Sequence, residues 1–520
     1  MIRSMLKSLL KPEAYPEPTS GVELIQTHVS YIFLTDTHAY KIKKAVDFGF
    51  LNFSTIDRRR FYCNEEVRLN RRLCPDIYLG VVEVRQAGNG AAFTGDGPVI
   101  DHAVKMKRLP GDRMLDRLVA RNQVGSEEMR AIARTIAEFH RTAASCASLA
   151  DYGRPDRIMY NWQENFEQVL PFESSTLPAS DREVIRTWVQ RFLAEREDLL
   201  LHRVEEGFIR ECDGDIHLEN ICLTDDNIYI FDCIEFNERF RCCDTAADIA
   251  FLLMDLDFHG RRDLSDDVID EYLTVSGDSG ITGLIDFYKV YRAFVRGKVE
   301  SFRFADAVVP VDEQQASAQR ATRYFRLARG YCERWGMPAT LFITCGLMGS
   351  GKSTLAEQLA FELGLTILSS DRLRKELAGV HIHQPLRDGY DQGAYSPEAR
   401  QAVYDTLLEQ ADILLAGGVS LVVDAGFCRL DQRSRFGDLA RRHGVRFVIL
   451  YQDTSEPEIR RRLELRSAGG DSVSDGRLEL LPRQMASFQA PDDSEGTVVT
   501  LGQFRDMPSA LNGIYARLKP

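Results

Sequence analysis

The sequence predicts an α+β, two-lobed N-terminal domain followed by an α/β domain built on a parallel sheet. Three observations lead there. The chain has 520 residues, more than one hydrophobic core usually serves, so two or three domains are expected. Strand patterns gather between residues 28 and 108, whereas from 126 to about 335 the apolar spacing is mostly helical. Beyond Gly336-Met337-Pro338 the two patterns alternate, which argues for parallel strands joined by right-handed crossovers. The boundary is placed there, giving domains at 1–335 and 338–520.

The elements follow in order. The opening MIRSMLKSLLKP reads as a short amphipathic helix; Lys7, Lys11 and Pro12 break the apolar run that a signal peptide needs. Residues 28–44, HVSYIFLTDTHAYKIKK, alternate like a hairpin turning at Thr35-Asp36-Thr37. Residues 56–73 have helical spacing with Asp57 as cap, and 79–86 and 99–108 read as strands. Helices occupy 126–205, broken near 151–156 and 173–180; two short strands, 221–223 and 228–232, precede more helix from 244. In the second domain, strands at 340–345, 365–369, 419–424 and 446–451 alternate with helices at 352–363, 400–415, 431–443 and 456–466.

At 44% hydrophobic and 28% charged, the composition is that of an ordered globular chain, not a disordered one. A net charge of -13 argues against non-specific binding to nucleic acid or anionic membranes. No apolar run reaches the ~18 residues of a membrane span. The 11 cysteines are odd in number and lack a C-x-x-C pair, and Cys242 and Cys243 are adjacent, so a reducing, cytoplasmic setting is expected. Small-molecule substrates are the expected partners; nothing in the sequence sets an oligomeric state.

Chemistry is concentrated in ECDGDIHLENICLTDDNIYIFDCIEF, Glu211–Phe236. Phosphoryl transfer needs cations on the phosphates, metal ligands and a residue that orients the attacking hydroxyl. Asp215 and Asn220, spaced D-x-x-x-x-N, place a base and a metal ligand on one loop, and Asp232 follows across a predicted hairpin as a second metal ligand. Taken singly, each aspartate could simply cap a turn; the ordered set points to catalysis. Upstream, Lys41 sits on a predicted strand as a phosphate-gripping lysine, with Lys43 on the same face as its rival; the plainer reading is two solvated lysines on an edge strand. Tyr62, Glu66, Leu69 and Leu73 form one helical stripe, so Glu66 rather than Glu65 points inward as the lysine's partner. Met106, on the strand leading to a hinge, is the candidate adenine contact.

Residues 25–300 thereby resemble the aminoglycoside-phosphotransferase branch of the protein-kinase-like fold. GDIHLEN is similar to that family's H-G-D-x-H-x-x-N loop and FDCIEF to its metal-binding strand. DTAADIAFLLMDL and IARTIAEFHRTA are similar to two of its helices. The resemblance implies that Asp215 is the catalytic base, that Asn220 and Asp232 bind Mg2+, and that Lys41 grips ATP. There are departures. Asp213 stands where the family has histidine, and no G-x-G-x-x-G precedes Lys41, so the phosphate-covering turn is expected at LTDT, residues 34–37, or not at all. Arg292 and Arg296 share a helical face that could hold an anionic substrate; a solvated or ion-paired face is the plainer reading.

The second domain carries GLMGSGKST, which satisfies G-x-x-x-x-G-K-[ST] between a buried strand and a helix. Gly346, Gly349, Ser350, Gly351 and Thr354 belong to a backbone cradle for phosphates; Lys352 reaches the outer phosphates and Ser353 the Mg2+. Asp371 ends the next strand, with Arg374 one turn on: a hydroxyl-activating carboxylate and an assisting arginine, although an aspartate there also caps its helix. Asp424 ends the following strand as a candidate for Mg2+ through water or for substrate contact, and Arg462 and Arg466 share a face as lid arginines or as a charged exterior. Residues 340–500 resemble the small P-loop kinases that include gluconate kinase, the kinase half of polynucleotide kinase and zeta-toxin-like proteins. The region is often labelled an AAA family ATPase, yet it has no room for the small helical domain or the partner-reaching arginine of an AAA motor.

The whole order resembles a bacterial two-domain fusion of an aminoglycoside-phosphotransferase-like domain and a P-loop kinase domain. That implies ATP and Mg2+ at two kinase-type sites, each phosphorylating a small-molecule hydroxyl. Two alternatives remain open at this point: a pseudokinase sensor gating the P-loop domain, or a nucleic-acid end or nucleotide-sugar kinase.

Overall fold

The computed structural model describes residues 2–381, 392–469, 478–502, 504 and 506–518, without the side chains of 2, 3 and 466–469. The chain divides into two compact units, Met1–Ala328 and Arg329–Pro520, the division falling inside the helix Val311–Arg334.

The first unit begins with an antiparallel sheet of β1 (Glu23–Gln26), β2 (Ser30–Leu34), β3 (His38–Lys43), β4 (Tyr78–Ala87), β5 (Gly90–Ala92) and β6 (Val99–Lys107). The order is β1-β2-β3-β6-β4-β5, so β3 is internal and both of its lysines are buried. The predicted hairpin is β2–β3, turning at Thr35-Asp36-Thr37 as expected. The edge strands β1 and β5 escaped the sequence reading because each is too short for its alternation to register. The helix Ile56–Asn70 packs on this sheet. Its cap is Thr55, not Asp57: the threonine hydroxyl accepts from the Arg58 amide at 3.3 Å, while Asp57 lies within the first turn and complements the helix dipole.

A helical lobe follows, carrying the short ladders β7 (Ile209–Glu211) with β10 (Cys242–Asp244) and β8 (Ile221–Leu223) with β9 (Ile228–Ile230). At its centre is the helix Thr245–Phe258, every residue of which is buried, and helices Arg262–Ser276 and Ile285–Ala305 pack against it. A helix enclosed on all sides should be apolar all round, so its acids Asp248, Asp255 and Asp257 need partners, and each has one: Asp257 pairs with Lys289 at 2.9 Å, and the other two hold the loop described below. The helix start is fixed by Asp244, which caps it and also forms a buried bidentate pair with Arg203 at 2.6 and 2.7 Å; Asp278 closes the other side of that guanidinium.

The second unit is a parallel sheet, β12 (Thr366–Ser369), β13 (Leu421–Asp424), β11 (Thr340–Cys345), β14 (Arg446–Tyr451) and β15 (Thr497–Thr500), in that order. Alternation along β11 explains the two layers. Leu341, Ile343 and Cys345 meet the helices Pro397–Ala416 and Leu430–His443, while Phe342 faces the helices Lys352–Leu363 and Met507–Leu518 on the other side. The chain leaves β11 for β12 on one side and leaves β13 for β14 on the other, so the adjacent carboxyl ends of β11 and β13 form the switch point where α/β sheets bind ligands. No helix among the described residues is long and apolar enough to cross a membrane.

Candidate functional site

In the first unit, the loop before β8, the segment just after β9 and the middle of β3 open on one cavity of about 930 Å³, the size of a small-molecule site. Lys41, Asp215, Asn220 and Asp232 all line it. The Lys41 ammonium lies 2.9 Å from Glu66 and 2.5 Å from Asp232. Asn220 donates its amide N–H to the Asp215 carboxylate at 3.0 Å, which leaves the amide oxygen to face a cation. Asp232 has a left-handed backbone, φ 68°, uncommon outside glycine, and its N–H is held by the Tyr78 hydroxyl at 3.2 Å. Sequence-predicted lysine, acid, base and metal ligands are thus brought together.

The Lys41–Lys43 ambiguity resolves into two jobs. Both lysines reach Glu66, Lys43 at 2.6 Å, but Lys43 turns away from the cavity and is closed off by Glu235. Burial pushes the Glu66 carboxyl up, and Lys41 and Lys43 more than reverse this, holding it at about 2. Burial opposes a charge on Lys41 too; Asp232 and Glu66 outweigh it and raise its pKa. Burial likewise raises the Asp215 carboxyl, but His217, Arg296 and Arg292 pull it below its ordinary value, so it is ionised. Asp213 behaves oppositely: burial, Asp248 and Asp215 raise it well above the carboxylate range, so it is protonated.

Sequence reasoning missed what holds this loop. The Asp248 carboxylate accepts from the Asp213 and Gly214 amides at 3.0 and 2.8 Å and from His140 at 3.1 Å. About two helical turns later, Asp255 accepts from the Leu218 amide at 3.0 Å. One enclosed helix therefore grips both ends of the segment bearing Asp215. The signal was present: acids in an otherwise apolar helix imply partners.

Two expectations are corrected. The turn beside the cavity is not LTDT, which joins β2 to β3, but the β1–β2 turn: Thr27, His28 and Val29 line the cavity, with the Thr27 hydroxyl accepting from the Val29 and Ser30 amides. Threonine does locally what glycines do elsewhere, by capping its own turn. Arg292 is not a free substrate arginine; it is buried and donates to the Gly214 and Ala247 carbonyls at 2.9 Å, bracing the loop against the helix that bears Asp248. Arg296 pairs with Glu219 at 3.2 Å. Met106 is on β6 as expected, paired with Ala39 and so on the sheet face that carries Lys41, where it packs against the cluster around Cys63, Val67 and Tyr78.

In the second unit the cradle runs from β11 into the helix Lys352–Leu363. Gly346, Gly349 and Gly351 have φ of 146°, 73° and 100°, which only glycine adopts without strain, and a Cβ on Gly346 would meet the Gln452 carbonyl at 2.9 Å. Among the described residues, the Ser350 hydroxyl is buried with no protein partner, and Lys352 donates only to the Leu347 carbonyl of its own loop, at 2.7 Å. Burial lowers the Lys352 ammonium despite the pull of Cys428, Asp424 and Asp371. Burial raises the Asp424 carboxyl, and the neighbouring Ser353 hydroxyl opposes this; Thr344 contacts the same carboxylate at 3.2 Å, while Thr354 is exposed in the first turn of the helix. Asp371 pairs with Arg374 at 2.6 Å, and that guanidinium lies over the Tyr395 ring. Arg462 reaches the Ser350 carbonyl at 3.0 Å and is steadied by Glu458. Arg466 lies outside the described side chains.

Both donor sets suit Mg2+, a hard cation that takes oxygen ligands: the Asn220 amide oxygen with the Asp232 carboxylate, and the Ser353 hydroxyl with the Asp424 carboxylate.

Comparison with known proteins agrees with this division. Residues 62–280 match the family model described as phosphotransferase enzyme family, and residues 341–491 one described as an AAA domain. Uncharacterized proteins Rv2004c of Mycobacterium tuberculosis and Mb2027c of Mycobacterium bovis are each 31% identical over 403 residues, 78% of this chain and 78% of theirs. Among solved structures, a choline/ethanolamine kinase family protein from Mesorhizobium loti matches 62% of this chain and 98% of its own, at 15% identity and TM-score 0.37. A gluconokinase from Sinorhizobium meliloti 1021 matches 35% and 92%, at 21% identity and TM-score 0.25.

Proposed function

Since the chain belongs to the family of two-domain proteins that join a phosphotransferase-family domain to a P-loop kinase domain, we propose that it has two ATP-dependent kinase-type sites. Each would move the γ-phosphate of ATP to a hydroxyl of a small molecule. One observation carries the reading for the first unit: Lys41, Asp215, Asn220 and Asp232 share a single cavity, with the lysine already ion-paired to Glu66 and Asp232.

In that cavity the ionised Asp215 accepts the acceptor's hydroxyl proton as the oxygen–phosphorus bond forms and the bond to the departing ADP breaks. Lys41 offers its ammonium to the phosphates, and Glu66 keeps it aimed from behind. Asn220 and Asp232 would hold Mg2+, which when bound neutralises charge on the phosphates. In the second unit the glycine-rich turn and Lys352 would receive the phosphates, Arg462 would close on them, and Asp371 beside Arg374 would take the acceptor proton. Ser353 and Asp424 are placed to hold the metal there.

The test is ADP release over a panel of sugars, aminoglycosides, nucleotide sugars and oligonucleotides, with Asp215→Ala and Lys352→Ala assigning each activity to a unit. The reading expects each variant to silence a different part of the panel. Release that survives both substitutions would refute it, and loss of only the second unit's activity on Asp215→Ala would favour a sensor role for the first.

A further inference from the structure

The cavity of the first unit extends well beyond Asp215, along the helix Ile285–Ala305. Its charges there are mostly matched. Arg239 pairs with Glu164 at 2.7 Å, Arg296 with Glu219, and Asp306 stands 3.6 Å from His28. Lys298 differs. Its ammonium touches two amide oxygens, Asn165 at 2.6 Å and Gln168 at 2.8 Å, both from the helix Pro155–Val169. Neutral oxygens orient the charge without cancelling it, and two of them leave a third N–H unspent. Burial, only partly offset by Glu164, pushes this lysine down to about 8. A cation held in a cavity at that cost gains from an incoming anion.

The position fits an acceptor. Arg292, whose guanidinium touches the Gly214 carbonyl beside Asp215, lies six residues before Lys298, about 9 Å along the helix axis. Tyr291, Val295 and Phe302 line the cavity from the same helix and provide an apolar wall for a carbon skeleton. We propose that this end of the cavity selects an anionic alcohol, a hydroxyl compound that also carries a carboxylate or a phosphate, with Lys298 binding the anionic group while the hydroxyl lies at Asp215. The proposal rests on the kinase reading of this cavity for the role of the hydroxyl, but not for the anion site itself.

Four matched six-carbon probes test it on the full chain: glucose, glucosamine, glucuronate and glucose 6-phosphate. The first readout is acetylation of Lys298 by a limiting amine-reactive reagent, quantified by peptide mass spectrometry. Glucuronate, glucose 6-phosphate or both should slow it by about tenfold, the worth of one charge-assisted contact, and glucose and glucosamine should not. Which of the two protects separates carboxylate from phosphate as the anion. Equal protection by all four, protection by glucosamine alone, or none by either anion would overturn the proposal. The second readout is turnover in a Lys352→Ala background. Lys298→Met should raise KM for an anionic acceptor by about tenfold with kcat nearly unchanged. Anion protection without ADP release would leave the anion site standing and sink the kinase reading. Turnover of a neutral or cationic acceptor, indifferent to Lys298→Met, would do the reverse.

Discussion

Asp248→Asn is the sharpest perturbation of the first unit. The carboxylate accepts from two backbone amides, Asp213 and Gly214, in a fully buried setting. Each bond to a charged acceptor contributes roughly 1.5–3 kcal/mol. Asparagine keeps one acceptor oxygen but turns an amide N–H toward the other backbone donor. One charge-assisted bond is lost and two donors are left facing each other, so the loop should lose about 3 kcal/mol. At about 1.4 kcal/mol per factor of ten, it opens on the order of a hundred times more often. Hydrogen exchange followed by mass spectrometry reads this without knowledge of the substrate. Peptides covering residues 211–217 should exchange about a hundredfold faster, while β8 and β9 keep their protection. Unchanged exchange across 211–217 in a folded variant would refute the claim that Asp248 holds the loop.

Lys41→Met and Lys43→Met should separate. The first should weaken nucleotide binding by tenfold or so while altering stability little; the second should cost about 3–5 kcal/mol in chemical denaturation, because it strands Glu235 in the core and leaves Glu66 with Lys41 alone. Asp213→Asn should raise the melting temperature near neutral pH. The unfolded Asp213 loses its proton near its ordinary pKa while the folded one keeps it, so the wild type loses stability as pH rises through that interval; the gain should vanish below about pH 4, and a pH-independent difference would contradict the assignment. Lys352→Met should abolish the nucleotide-induced thermal shift of the second unit and slightly stabilise the unliganded chain, since it removes a buried ammonium bonded only to the Leu347 carbonyl; a retained shift would argue against phosphate contact.

The fold was legible where pattern and length were both sufficient. The alternation of β11, β13 and β14 with long helices gave the parallel sheet, and the β2–β3 hairpin was visible from its period of two. What escaped, β1, β5, β7, β10 and β15, consists of strands of three or four residues; strands as short as these were read only where a motif or flanking helical patterns framed them, as with β8, β9, β12 and β13. At the sites, motif spacing found Lys41, Glu66, Asp215, Asn220 and Asp232 because chemistry fixes their separations. It did not find Thr27, which works through its own turn, nor the bracing roles of Asp248 and Arg292, whose partners are backbone atoms and carry no residue identity. Met106 was placed on the right strand and the right face, since its partner Ala39 lies two residues from Lys41; what the sequence did not show is that it packs around Cys63 and Tyr78.

The complete enclosure of Thr245–Phe258 bears on how such a chain can diversify. A segment without a solvent-facing position offers no neutral ground for sequence drift, and saturation mutagenesis should find it the least tolerant stretch of its lobe. On the kinase reading, new acceptor preferences would then arise on the neighbouring helix Ile285–Ala305, whose cavity-lining Tyr291, Val295, Lys298 and Phe302 stand outside that enclosed segment.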